Sequence, residues 1–546
     1  NYFKEIEEHF NASSLEVGND FSNLRLTLDT KEDFDVISSL LDHFSASGIQ
    51  YEYSLDDIAK YFSNNPEKSL INSTIQQRAI PKKFDTSVNW SSILENPLVS
   101  VYITCFNYAD YVGEAIHSVL NQSFQDYELL IIDDGSTDRS REIIEQFKTH
   151  PKVQIIFQKN LGLNKTNNVA ISRSSGKYIM RLDADDYLDP NALHFMVKKM
   201  EEMPDAALIF PDYYLIDQEG RLIAQERRHN FDTDVEMYDQ PAHGACTMFR
   251  KAILEDVGMY SEKYDRQDGY EIWNKIAKKY SVTNINIPLF FYRQHEKSLT
   301  KNEDKLLQTR SDILSDLNKS SDSKDTIAII PIRKDATNPP LAIRSFCDQS
   351  LIEILIEKLL ASSRISTIII TSNDKKVLKY LSGYSSNKVI LHQRDESISA
   401  LNTPIELTIL NIFESYMKII EQNKFVTILN YEYPMMDIRN VENSLNIMQI
   451  YDADSSLSVR AVDTNFYKHD GKGLKPISNN KKLRLERDQM FQEMGGIHSF
   501  TIDWFQSNQT IESNKSTHLI IDNNSSKKIR SEDDFNSLEY LLQLKK

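Results

Sequence analysis

The stretch "YIMRLDADDYLDP", residues 178–190, runs an apolar segment into four aspartates within seven positions. Aspartates this close repel one another unless a cation or water lies among them. Three readings compete: a solvated turn, a calcium loop, and one half of a metal-assisted active site. Side chains two apart on an extended segment share a face, so Asp183 and Asp185 would present both carboxylates to one ion. Hard oxygen ligands of this kind suit Mg2+ or Mn2+, which bridge carboxylates to substrate phosphates. Asp186 points the other way and is expected to brace the loop. Asp189 before Pro190 reads as a helix N-cap followed by proline at the first helical position. An EF-type calcium loop needs a ligand at its fifth position and glycine at its sixth. Tyr187 and Leu188 stand there, which excludes it. An isolated Asp-x-Asp fits a solvated turn as well as a metal site, so the decision falls to its surroundings.

The elements that must position this pair alternate between strand and helix. "LVSVYITCF", "YELLIIDD", "KVQIIFQ" and "KYIMRLD" read as buried strands. Between them "YVGEAIHSVLNQ", "DRSREIIEQF" and "NKTNNVAISRSS" carry helical spacing. This is the βαβαβ pattern of an open, mostly parallel sheet, in which ligands bind beyond the carboxyl ends of the strands. Asp133 and Asp134 end the second strand, and Asp183 and Asp185 the fourth.

With "VSVYITCFNYADYVGEAIHSVLNQSFQDYELLIIDDGSTDRS" upstream of "GKYIMRLDADDYLDP", residues 97–300 resemble family 2 glycosyltransferases, inverting enzymes of the GT-A fold. The resemblance implies a nucleotide-sugar donor whose base is recognised by Asp134, with Thr104 a further contact. It extends the donor-binding set to Phe106, Asp133, Arg181, Asp183 and Arg293. It places Mn2+ or Mg2+ on Asp183 and Asp185, with His295 of "FYRQHEKSLT" as a further ligand. In "YDRQDGYEIWNKIAKKY" it puts Asp268 at the position of the general base, where an isolated aspartate at a helix start could also be a cap. Asp265 and Glu271 are the alternatives. "HGACTMFRKAILEDVGMY" (243–260) matches the acceptor side by position only. The implied chemistry is attack of an acceptor hydroxyl, deprotonated by the base, on the donor sugar while the metal stabilises the leaving diphosphate.

Two polar stretches divide the chain: 64–87, with two prolines, and "SDLNKSSDSKDT" (315–326). The expected organisation is 1–75, a linker over 76–96, a transferase domain over 97–312, a linker over 313–325, and a second α/β domain over 326–546. "IAIIPIRKDATNPPLAIRSFCDQSLIEILIEKLL", "MGGIHSF" and "IRSEDDFNSLEYLL" resemble CMP-sugar synthetases, a nucleotidyltransferase fold. Their phosphate loop stands here as "KDATN", with Arg333 retained, Ala342 replaces a lysine, and Lys528 and Arg530 occupy the metal aspartates' positions. The resemblance therefore implies an inactive domain, the alternative being an unusual active synthetase. "NLRLTLDTKEDFDVISSLLDHF" and "YSLDDIAKYFSNNPE" resemble the C-terminal tail of spore-coat-polysaccharide-type cytidylyltransferases, without the nucleotide-binding half.

A hydrophobic content of 40% with 26% charged residues is that of a globular chain, and 546 residues allow three or four domains. The formal charge of −17 argues against nucleic acid as a partner. Three scattered cysteines fit a reducing compartment, no run is long enough to span a membrane, and no signal-peptide pattern follows Asn1. The expected setting is the cytoplasm or the inner face of the membrane. Expected partners are a UDP-, GDP- or CMP-sugar and a glycan or lipid-linked acceptor, with peripheral membrane association and homo-oligomers left open. Two further functions stay open: a bifunctional synthetase–transferase and a non-catalytic nucleotide-sugar-binding scaffold.

Overall fold

The computed structural model of the chain describes residues 31–46, 54–71, 96–295, 302–318 and 324–545, apart from 336, 338, 385, 401, 463–465 and 478–489. The chain forms two compact units, 1–89 and 90–546. In the first, the helices Lys31–Ala46 and Leu55–Asn64 bury Val36, Leu40, Phe44, Ile58, Tyr61 and Phe62 in a small core. Ser54 and Asp57 close a capping box at the second helix, satisfying its first free N–H groups.

The second unit holds two large sheets. In the first, β1 (Val99–Cys105), β2 (Tyr127–Asp133), β3 (Val153–Phe157) and β4 (Tyr178–Asp183) are joined in the order β3-β2-β1-β4, all parallel. β1 and β2 are covered on both faces, which is why they read as continuous apolar runs. The sheet continues through β8 (Met248–Arg250), β6 (Ala206–Ile216), β9 (Ser281–Arg293) and β5 (Tyr187–Leu188), with β7 (Leu222–Glu226) paired to β6. This half is mixed: β6 runs parallel to β9, and β4–β8, β8–β6, β6–β7 and β9–β5 are antiparallel. The expected α/β class is the one observed. The chain reverses its strand order between β1 and β4, and the register there sets Thr104 directly beside Asp183. That is the switch point at which such sheets open a crevice.

The second sheet takes the strands Val389–Gln393, Ile365–Ser372, Thr326–Ile332, Phe425–Leu429, Met490–Thr501, Ser455–Val462 and Ser516–Ile520 in that order. Between the sheets runs the helix Glu303–Leu317, capped by Asn302, whose side chain accepts from Lys305 N–H at 3.1 Å. This linking helix overruns the boundary expected at 312 and occupies the first part of the expected linker. Its polar sequence hides a narrow apolar stripe. Ile313 and Leu314 are buried, and Leu314 packs with Ile447, Leu519 and Ile521 of the second layer. Burying one such leucine stabilises by about 1.5–3 kcal/mol. Tyr451 donates to Asn274 across the same junction at 2.7 Å, and Met237 packs against Phe425, Leu445 and Met448.

Candidate active site

At the carboxyl ends of β1 and β4 lies a cavity of about 730 Å3, lined among others by Thr104, Phe106, Asp134, Arg181, Asp183, Asp185 and Asp268. Arg181 projects from β4 and is almost fully buried. Its Nε lies 2.8 Å from Asp183 Oδ1, and its Nη1 pairs with Asp268 Oδ2. One guanidinium thus stands between the fourth-strand carboxylate and the first residue of the helix Asp268–Ala277. Asn167 adds an amide donor to Asp268 Oδ2 at 3.4 Å.

Burial pushes the Asp183 carboxyl up to about 6; Arg181 pulls it back down, and the nearby Asp185 and Asp268 raise it further. Asp185 sits in the turn after β4, not on the extended strand that the same-face argument assumed. The backbone doubles back there, with Asp186 N–H donating to Asp183 O. Asp185 still lines the cavity, and its Oδ2 is 2.8 Å from His295 Nε2. His295 lies behind Asp185, stacked on Tyr111. Asp186 accepts from the Arg293 backbone N–H at 2.9 Å, the bracing role expected of it. Residues 296–300 of the "FYRQHEKSLT" segment fall outside the described residues.

Several expected assignments change. Asp133 is fully buried and lines no part of the cavity; its Oδ1 accepts from Ser136 N–H, and Arg141 approaches Oδ2 at 3.7 Å. Alternation along β2 turns consecutive side chains to opposite sides, so Asp134 faces the cavity and Asp133 cannot. Arg293 also stays out of the cavity. Its guanidinium donates to the carbonyls of Asp185 (2.9 Å) and Gln218 (3.1 Å) and pairs with Glu114, over the Tyr111 ring. It ties the Asp185 turn to neighbouring segments. Asp189 is not a helix cap: the helix Ala192–Glu202 has Asn191 at that position, and Asp189 instead accepts from Asn191 N–H in the preceding turn. Glu271, an alternative base, is committed to Ser261 N–H and to Lys275 at 2.6 Å. Asp265, the other, lines the cavity paired with Arg266. Asp134 lines the cavity, and both its oxygens already accept, from Gln158 and Leu161 N–H and from Gly162 N–H.

Other cavity features were missed. Gly244 passes so close to Arg181 that a Cβ there would meet Nη2 at 2.6 Å, and Gly269 lies against Gly244 in turn. Gly244 leaves the guanidinium the space to reach Asp268, and Gly269 lets the Gly244 backbone pass close by. His243 lines the cavity; burial, helped by Arg181, lowers it to about 4, so it is neutral, with Nδ1 accepting from Ala245 N–H. Asn164, Thr166 and Asn167 are buried on one helix. A polar stripe facing inward was the signal available in "NKTNNVAI".

Residues 100–258 match the model of "Glycosyl transferase family 2". An uncharacterized glycosyltransferase of Methanocaldococcus jannaschii is 31% identical over 210 residues, 37% of this chain and 72% of that protein. The chain belongs to this family. The chondroitin synthase of Escherichia coli is 39% identical over 129 residues, covering 23% of this chain, and the hyaluronan synthase of Pasteurella multocida 37% identical over 135 residues, covering 24%. The matched stretches span only 19% and 14% of those synthases. A structure of S. aureus TarS 1-349 in complex with UDP-GlcNAc overlaps 40% of this chain and 66% of that one, with 17% identity and a TM-score of 0.34. No helix among the described residues is long and apolar enough to cross a membrane.

Proposed function

We propose that the chain moves a sugar from a nucleotide-sugar donor to an acceptor hydroxyl with inversion, using a divalent ion on Asp183 and Asp185 and Asp268 as general base. The observation that carries this reading is the convergence of those three carboxylates, with Arg181 among them, on one cavity at the switch point. Among the described residues no three His, Cys, Asp or Glu groups close a cage around an ion. The donor set is instead two carboxylates crowded at a cavity wall, which fits Mg2+ or Mn2+ completing its shell with diphosphate oxygens and water. Asp183 and Asp185 would hold the ion, with His295 orienting Asp185. Bound there, it supplies positive charge to the departing nucleoside diphosphate.

The rest is the work of this chain's own side chains. Asp268 accepts the proton of the acceptor hydroxyl as the oxygen forms its bond to the anomeric carbon. The bond from that carbon to the donor phosphate breaks on the opposite face, its electron pair leaving on the diphosphate. Arg181, whose guanidinium keeps its charge, pairs with Asp268 Oδ2 and aims the carboxylate. Thr104, Phe106 and Asp134 form the donor end. We assign the second sheet no nucleotidyl transfer: Lys528 pairs with Glu432 at 2.9 Å where that chemistry would need a metal carboxylate.

A panel of UDP-, GDP- and CMP-sugars, UDP-GlcNAc among them, with Mn2+ or Mg2+ tests this. A matching donor should raise the melting temperature and be slowly hydrolysed; binding by no donor in either metal refutes the reading. Hyaluronan and chondroitin oligosaccharides are the first acceptors to try, given the relatives' names. Asp268→Asn should keep donor binding and lose transfer by about 10²–10⁴-fold; loss of donor binding would make Asp268 a donor-binding or structural residue instead.

A further inference from the structure

A second cavity, about 510 Å3, lies where the first sheet's layer meets the second, outside every residue assigned to donor, metal or base. Residues 239–241 and Tyr270 form one side, the linking helix the floor, and the helix Ile438–Tyr451 with the segment 518–525 the other side. It shares its wall with the catalytic cavity: Arg228, Pro241, Tyr270 and Arg310 line both. Arg310, on the linking helix, donates from Nε to Gln267 Oε1 at 2.7 Å, and Gln267 immediately precedes Asp268. Its guanidinium also lies over the Tyr270 ring. The two spaces thus adjoin at the residues that flank the proposed base.

The lining chemistry narrows the ligand. The charged groups are mixed in sign, and several are already engaged locally: Arg439 with Asp437 at 2.7 Å, His518 with Asp239 at 3.3 Å, Arg310 with Gln267. A nucleoside diphosphate would call for a surplus of cations and a metal ion for a surplus of carboxylates. Four aspartates here face three arginines and His518, so neither sign dominates. The lining also holds amides, Asn440 and Asn443, the latter accepting from Ser311 at 3.4 Å, beside the aromatic rings of Tyr270, Tyr451 and Phe491. Donors and acceptors interleaved with flat apolar faces suit a neutral, polyhydroxylated ligand. Asn440 adds a direct pointer: its Nδ2 is buried without a hydrogen-bond acceptor, a state that costs free energy until an oxygen is supplied.

We propose that this cavity is a saccharide subsite, holding sugar residues of the acceptor glycan behind the unit whose hydroxyl reaches Asp268. The second sheet then serves transfer by completing the acceptor site. This rests on the transferase reading of the first cavity, and the test separates the two. Binding of uncharged glucose and N-acetylglucosamine oligosaccharides, from disaccharide to octasaccharide, is measured by calorimetry on the full chain without donor, beside KM for the same series with donor. An octasaccharide should bind the native protein at least tenfold more tightly than a disaccharide. Asn440→Leu, which removes the amide at similar volume, should weaken the octasaccharide about five- to tenfold and leave the disaccharide unchanged. Asn440→Trp, which fills the space, should erase the length dependence, with circular dichroism confirming that both variants fold. The proposal is overturned by a native protein that binds no oligosaccharide or shows no length dependence, or by folded variants that retain it. If no donor turns over but the octasaccharide binds through Asn440, the transferase reading fails and the saccharide site stands.

Discussion

Arg181 is the side chain whose loss should be felt most sharply. It is buried between Asp183 and Asp268, with Nε 2.8 Å from one carboxylate and Nη1 paired with the other. At an effective dielectric of about 20, two unit charges 2.8 Å apart attract by about 6 kcal/mol before desolvation is subtracted. Removing one partner of a buried pair typically costs about 3–5 kcal/mol, because the other charge is left uncompensated. Arg181→Gln should therefore lower the unfolding free energy by about 3–5 kcal/mol in urea titrations at neutral pH. The cause can be isolated by a double-mutant cycle. Asp268→Asn in the native background leaves Arg181 still paired with Asp183 and should cost less. In the Arg181→Gln background the same change removes a stranded carboxylate and should recover about 1–2 kcal/mol. An Arg181→Gln loss below about 1 kcal/mol, or two substitutions that simply add, would refute the claim that one guanidinium compensates both carboxylates.

Further consequences can be checked separately. Gly244→Ala places a Cβ 2.6 Å from Arg181 Nη2 and 3.6 Å from Asp268 Oδ2, so the guanidinium must shift; transfer should fall at least tenfold while the melting temperature drops by only a few degrees, read by activity and calorimetry on the same sample. Asp185→Ala should abolish transfer with folding preserved, measured by circular dichroism and a coupled nucleotide-release assay; retained activity would remove Asp185 from the metal site. Burial lowers Lys152 to about 8 against an ordinary value of 10.5, with Asp126 opposing. A depressed lysine contributes stability that is present above 10.5 and lost as pH falls through 8. The native protein should therefore gain on the order of 1–2 kcal/mol over Lys152→Met between pH 7 and pH 10, and a flat difference in denaturant midpoints would refute it.

The parallel half of the first sheet was legible because β1, β2 and β4 are covered on both faces and the helix Val112–Leu120 between β1 and β2 carries one apolar stripe. Both patterns survive in the letters alone. The same letters could not say which way a strand-end side chain turns. Asp133 and Asp134 differ in sequence by nothing except order, and only the phase of β2 against its neighbours sends one into the cavity and the other into the core. Arg293 was misplaced because its chain is long enough to reach either way; the choice was made by Glu114 and two carbonyls brought in from distant segments. Asp189 carried the composition of a cap, but the helix begins three residues later, at Ala192. The polar "SDLNKSSDSKDT" suggests a linker from 313, and the buried Leu314 just inside it has meaning only against Ile447, Leu519 and Ile521, over 130 positions downstream. Gly244 was invisible for a related reason: a glycine needed for the approach of one side chain looks like any other.

The apolar stripe of the linking helix has a practical consequence for cutting or recombining the chain. A fragment stopped at 312 would end inside the linking helix and expose Tyr270 and Met237, which the second layer covers. One stopped at 318 would expose Leu314 as well. Either piece would carry a fresh apolar patch and tend to self-associate, so poor behaviour of the isolated first layer would say nothing against its chemistry. Transplanting that layer onto another scaffold would require a new cover for the helix, or substitution of Leu314 and Met237 by polar residues, before its activity could be judged.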